Sequence, residues 1–162
     1  MPAGMVEVEV FTVLLDKTNQ TPVLLLKEKG GSRVLPIWIG FFEAESIIMA
    51  IKGLVLPRPM THDLCSDTIC LLGGKLLAVH IYNLQGGTFY ARLVIEQNGK
   101  VLNLDSRPSD SVSIALRQSS PILVSEKVMA EAGIADIKNI SSSQLEDILN
   151  DLPEEAFGKY KM

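Results

Sequence analysis

Three stretches of the chain concentrate residues that could do chemistry: Pro36-Ile37-Trp38-Ile39-Gly40-Phe41-Phe42-Glu43, Arg58-Pro59-Met60-Thr61-His62-Asp63-Leu64 and Asp105-Ser106-Arg107-Pro108-Ser109-Asp110. Each reads as a turn leading into the first turn of a helix. Should the three helix starts converge, Glu43, Asp63, Asp105 and Asp110 would form a group of carboxylates. Arg58 and Arg107 would be anion clamps, Ser109 a phosphate contact and His62 an acid–base group. That inventory is what phosphodiester cleavage needs: oxygen ligands for a hard cation such as Mg²⁺ or Mn²⁺, positive charge for the transition state, and a proton carrier. The condition is spatial, because carboxylates sharing one ion must bring their oxygens within about 5 Å of one another. Each residue also has a plainer role, since acids in a first helical turn answer the helix dipole and an Arg–Asp pair can simply close a strand-to-helix junction.

The elements that must position these residues follow from periodicity. Around the third stretch, Lys100–Leu104 reads as a strand after the Asn98-Gly99 turn. Pro108 suits a first helical position, Ser106 a cap, and Val112, Ile114, Ala115 and Leu116 an apolar helical stripe. Earlier in the chain, Val6–Leu15, Pro22–Leu26 and Arg33–Ile39 read as strands, the last at an edge or bulged because Pro36 cannot donate to a ladder. A first helix, Phe41 to Gly53, carries Phe41, Ala44, Ile47, Ile48 and Ile51 at core spacing. A second, capped by Thr61, packs through Leu64, Thr68, Ile69 and Leu72 until Gly73-Gly74. Lys75–Leu84 and Thr88–Gln97 form a hairpin across Gln85-Gly86-Gly87, with Leu77, Val79 and Ile81 facing Phe89, Ala91 and Leu93. Pro121–Ser125 is a last strand, followed by a helix to Ala132 and a final acidic helix from Ser141 to Asp151. Hairpins outnumber crossovers, so the expected fold is α+β: a single domain with a mostly antiparallel or mixed sheet and helices packed against it.

The totals narrow the field. With 162 residues, 47% of them hydrophobic, the chain can build its own core without a disulfide or metal staple. A mean hydropathy of +0.25 beside 21% charged residues suggests apolar surface buried between subunits, hence a homo-oligomer. Net charge is −4 and lies entirely from Glu131 onward, where seven acids meet three bases, while residues 1–130 balance. A neutral body with an acidic tail excludes a protein that coats nucleic acid through a broad basic field. Cys65 and Cys70, about 140° apart on a helix, suit small core residues of a reducing compartment better than a metal site. With no signal sequence pattern and no apolar run of about 18 residues, a cytoplasmic protein without a membrane span is expected.

No nucleophile elbow, phosphate-binding glycine loop or dinucleotide fingerprint is present, and a triad of Ser106, His62 and Asp63 has no such elbow to stand on. His80 sits within a strand pattern and receives no role, and Trp38 reads as a core residue. Four strings do form a pattern: Leu35-Pro36-Ile37-Trp38-Ile39-Gly40 with Glu43-Ala44, then Arg58–Leu64, Asp105–Asp110 and Pro121-Ile122-Leu123-Val124-Ser125. In order and spacing they resemble the bifunctional nuclease family over Val6 to Gly133, with Ser111 where the family more often has alanine. Residues 1–135 are accordingly taken as a bifunctional-nuclease-like domain and 136–162 as an acidic helical extension of it. The resemblance implies an α+β domain that forms oligomers and a nuclease acting on DNA and RNA. The alternative is a non-catalytic oligomeric module that binds nucleic acid, a small anionic ligand or a protein partner through the same surface.

Overall fold

Alternating and continuous apolar runs become seven strands, and amphipathic runs become four helices, in a computed structural model that describes residues 1–17 and 20–134. In chain order these are β1 (Met5–Asp16), β2 (Thr21–Glu28), β3 (Val34–Trp38), α1 (Phe41–Ile51), α2 (Thr61–Leu71), β4 (Lys75–Gln85), β5 (Thr88–Gln97), β6 (Lys100–Ser106), α3 (Pro108–Gln118), β7 (Ile122–Ser125) and α4 (Glu126–Ala132). The strands form one sheet in the order β3-β2-β1-β7-β4-β5-β6. Every pairing is antiparallel except β4 with β7, so the sheet is mixed and the fold α+β. The final helix expected from Ser141 lies outside the described residues.

Local chemistry explains the connections. Gly86-Gly87 and Asn98-Gly99 all have positive φ (57° and 76°, 52° and 73°), which a two-residue hairpin turn needs at both central positions to match strand twist. Pro36 sits in β3, an edge strand, where its missing N–H costs no central ladder bond. Trp38 is buried as expected, and its indole Nε1–H donates to Asp16 Oδ2 at 2.9 Å, which meets the buried carboxylate's need for a partner. At the other end, β6 leads through α3 back to β7 in the middle of the sheet. This crossover lays α3 across β4 and β5, with α1 and α2 packed on α3. Val112, Ile114 and Ala115 of α3 join Val79, Ile81, Leu93 and Ile47 in the core.

Several expectations fail. Leu76, not Leu77, is buried, because the β4–β5 register shifts between Leu76 and Ala78, and that bulge turns Leu77 outward. Phe41 and Ile51 of α1 are exposed, as are Leu64 and Thr68 of α2 and its C-cap Leu72. Instead α2 inserts Ser66, with Cys65 and Ile69 partly buried. Cys70 is exposed rather than in the core, and the two cysteines are free. Thr61 is the first residue of α2, and the cap position is Met60. Arg107, not Ser106, occupies the α3 cap, and Ser106 donates to the Arg107 carbonyl. Among the described residues no helix is long and apolar enough to cross a membrane.

The bulge gives a direct test. Leu76→Ala removes a core side chain and is expected to cost about 2–5 kcal/mol in urea unfolding, whereas Leu77→Ala should cost less than about 1 kcal/mol. Equal losses would contradict the bulged register.

Candidate active site

One face of α3 carries the polar residues that organise the site. Asp110, Ser113 and Arg117 are spaced three and four residues apart, so they line a single stripe. Pro108 starts the helix in extended-to-helical transition with Arg107 as cap, which places Arg107 beside Asp110. Against this stripe α1 brings Glu43 and Ser46, one turn apart, and α2 brings His62 and Asp63 from its first turn. His62 is the hub. Its Nε2 lies 2.8 Å from Asp110 Oδ1 and its Nδ1 2.8 Å from Ser46 Oγ. Ser46 Oγ lies 2.7 Å from Ser113 Oγ, which accepts from Arg117 Nη1 at 2.7 Å, and Arg117 Nε donates to Asp63 Oδ1 at 2.5 Å. On the other side Arg107 Nε donates to Asp110 Oδ2 (2.8 Å), and its Nη2 reaches both Asp110 Oδ1 (3.1 Å) and Glu43 Oε1 (3.0 Å).

These contacts border a cleft of about 650 Å³. Its polar wall includes Glu43, Ser46, His62, Arg107, Asp110 and Arg117, and its apolar wall includes Phe42, Met49, Met60, Leu93 and Leu104. Burial pushes the Asp110 carboxyl up, but hydrogen bonds from His62 and Arg107 outweigh it and hold the group below its ordinary range. Asp63 is held low by its hydrogen bond from Arg117 and by the Met60 backbone N–H. Asp110 in turn raises the Arg107 guanidinium. Two guanidinium groups against three carboxylates leave the cluster with one net negative charge. Glu43 Oε2 is buried without a hydrogen-bond partner, a cost that a cation or water at that point would relieve.

The expected residues divide between this cluster and its surroundings. Glu43, His62, Arg107 and Asp110 come together. Asp63 is tied to Arg117 at the other end of the hydrogen-bonded row and is absent from the cleft wall. Asp105 touches the cleft, yet its register partner is Arg92, while its neighbour Leu104 pairs with Leu93 of the core, so strand alternation turns the Asp105 side chain to the opposite sheet face. Arg58 is exposed in the connector, and Ser109 is 2% exposed; neither lines the cleft. The four carboxylates therefore do not close into one cage: among the described residues no group of three or more His, Cys, Asp or Glu side chains could hold a metal ion. What does fit is a smaller demand, because Mg²⁺ is commonly held by one or two carboxylates with substrate phosphates and water completing its shell. Glu43, with its orphaned oxygen, meets it.

Sequence reasoning missed Ser46, Ser113 and Arg117. Their signal was present as polar residues at positions whose neighbours are core: Ser46 beside Ile47, and Ser113 with Arg117 at i, i+4 between Val112 and Ile114. Ser46, His62 and Asp110 stand in the order of a hydrolase triad. Ser46 is only 6% exposed and sits in mid-helix, so its hydroxyl serves His62 rather than a substrate.

The depressed Asp110 has a consequence for acid stability. Its ordinary value is 3.8, and a carboxylate lowered in the fold stabilises it above that value and loses the contribution as pH falls through the folded-state value. Urea unfolding followed from about pH 5 to about pH 2 should show a steeper loss in the wild type than in Asp110→Asn; parallel curves would show that Asp110 carries no such linkage.

Comparison with known proteins gives the family. The bifunctional nuclease domain model matches residues 24–136. An uncharacterised protein of Mycobacterium tuberculosis is 50% identical over 130 residues, covering 80% of this chain and 77% of its own length. Bifunctional nuclease 1 of Oryza sativa subsp. japonica is 24% identical over 151 residues, 88% of this chain and 46% of the plant protein. Bifunctional nuclease 1 of Arabidopsis thaliana is 24% identical over 122 residues, 73% and 38% respectively. The chain thus spans less than half the length of these plant relatives. With the matched region running from β2 to just past α4 and containing every residue of the hydrogen-bonded cluster, the chain belongs to the bifunctional nuclease domain family.

Proposed function

We propose that the protein is a nuclease, a phosphodiesterase acting on DNA and RNA, and that the cleft beside α3 is its substrate site. The observation that carries this reading is the Glu43–Arg107–Asp110–His62 cluster on the cleft wall. It combines a guanidinium at the mouth of the cleft with an ionised carboxylate able to accept a proton. Family membership and the distant plant relatives support the reaction class.

In this reading Arg107, half-exposed at the mouth of the cleft, binds the scissile phosphate and meets the charge that develops in the transition state. Asp110 accepts the proton of the attacking water, with His62 holding its Oδ1. The apolar wall of Phe42, Met60 and Leu104, exposed to solvent, is where a nucleoside would lie. Glu43 would hold a Mg²⁺ or Mn²⁺ ion, which would supply Lewis-acid polarisation of a phosphoryl oxygen. The net negative charge of the cluster supports this part of the reading, because an anionic substrate enters such a site more readily with a cation. Self-association belongs to the same proposal: Val101 and Leu102 leave the β6 edge apolar and exposed, an edge that a second copy would cover.

Purified protein is expected to degrade single-stranded DNA and RNA in Mg²⁺ or Mn²⁺ and to lose that activity in EDTA. Asp110→Ala and Arg107→Ala should each reduce it on the order of 10²-fold or more while far-ultraviolet circular dichroism is retained. Activity unchanged by both substitutions would mark a contaminant, and binding without cleavage under every condition would make the protein a binding module.

A further inference from the structure

The buried row behind His62 has a direction. Arg117 can only donate, so Ser113 Oγ accepts from its Nη1 at 2.7 Å. Ser113 is fully buried, and among the described residues its Oγ has one other partner, Ser46 Oγ at 2.7 Å. A buried hydroxyl hydrogen left without an acceptor is costly, so the Ser113 hydroxyl donates to Ser46. Ser46, having accepted, has its own hydrogen directed at His62 Nδ1, 2.8 Å away. That nitrogen must then be the bare one. At the opposite edge of the ring Asp110 Oδ1 faces Nε2 at 2.8 Å, a position that suits a hydrogen and repels a lone pair.

We propose that Arg117 and Ser113, acting through Ser46, fix neutral His62 as the Nε2–H tautomer and so keep a donated hydrogen on Asp110 Oδ1. Arg117, Ser113 and Ser46 are positioning residues, and so is His62. With Nε2 already carrying a hydrogen and Nδ1 occupied by Ser46, the ring has no bare nitrogen turned to the cleft, and the proton acceptor is Asp110. The proposal rests on the nuclease reading for the role of Asp110, but the tautomer itself is independent of any activity. Asp63 completes the row from behind: it holds Arg117 Nε, which leaves Nη1 oriented on Ser113.

The test is long-range ¹H–¹⁵N correlation spectroscopy on the ¹⁵N-labelled 162-residue chain at about pH 8, above the ordinary histidine range. The chain has two histidines, His62 and His80, so a His62→Gln sample assigns the signals. The wild type is expected to show a bare Nδ1 and a protonated Nε2 at His62. The decisive sample is Asp110→Asn, because an amide can present either its oxygen or its NH₂ to Nε2 and no longer dictates the tautomer. If the row directs the ring, Asp110→Asn retains the single Nε2–H pattern. Adding Ser113→Ala, or Ser46→Ala should that double variant not fold, then brings both tautomers into view. A hydrogen on Nδ1 in the wild type, or both tautomers already present in Asp110→Asn, would overturn the proposal. Either result would leave the nuclease reading to be judged by its own assay.

Discussion

The constraint on which the site depends is the need to satisfy polar groups that α3 carries into an apolar interior. Ser113 is fully buried and the Arg117 side chain nearly so, at 11% exposure, in a helix whose adjacent residues Val112, Ile114 and Ala115 belong to the core. A buried guanidinium needs a carboxylate and buried hydroxyls need partners, or the fold loses the desolvation cost of each. Asp63, Ser46 and His62 are the groups that answer this need, and they come from two other helices. Their hydrogen bonds fix how α1 and α2 sit on α3 in a way that apolar packing, which is not directional, could not. The same bonds bring Glu43 and His62 to the cleft.

Electrostatics then separates two ends of the row. At one end, Asp63, which does not line the cleft, neutralises Arg117 of the cleft wall. At the other end, Arg107 is shared between Glu43 and Asp110, so its positive charge is held at the mouth without being surrounded by other bases. The guanidinium there stands between two carboxylates, so the mouth of the cleft carries a single cation within a locally negative cluster. Contact with an anionic polymer would be local, as the balanced charge of residues 1–130 suggests. The opposite sheet face repeats none of this: there Arg92 lies over the Tyr82 ring and beside His80, whose burial holds it below its ordinary range.

Much of the fold was legible because its signals are local. Gly-Gly and Asn-Gly turns prescribe two-residue hairpins, Pro36 prescribes an edge, and the apolar run Val23–Leu26 prescribes a buried strand. The outer residues of α1 and α2 were misjudged because helical periodicity reports that a face is apolar and not that a neighbour exists to cover it. Leu64 and Leu72 satisfy the period and still face outward, while α2 packs through smaller side chains such as Ser66. The Leu76–Leu77 inversion has the same origin, since a single-residue bulge flips every side chain beyond it and leaves no mark in the strand's own composition.

For the site, the sequence by itself determined which residue types were available and that three helix starts would carry them, because caps, prolines and first-turn acids are read over a few neighbouring residues. It also offered an Arg–Asp pair at the strand-to-helix junction, and the structure makes Asp110 the partner of Arg107. Only the tertiary structure decided which of the four acids share a space. Glu43, His62 and Asp110 meet because the β6–α3–β7 crossover lays α3 between α1 and α2, whereas Asp63 is drawn back by Arg117 and Asp105 is turned aside by strand alternation. Helix phase and strand parity act over a few ångströms, yet they are set by packing between segments tens of residues apart, and for that reason no reading of single stretches could supply them.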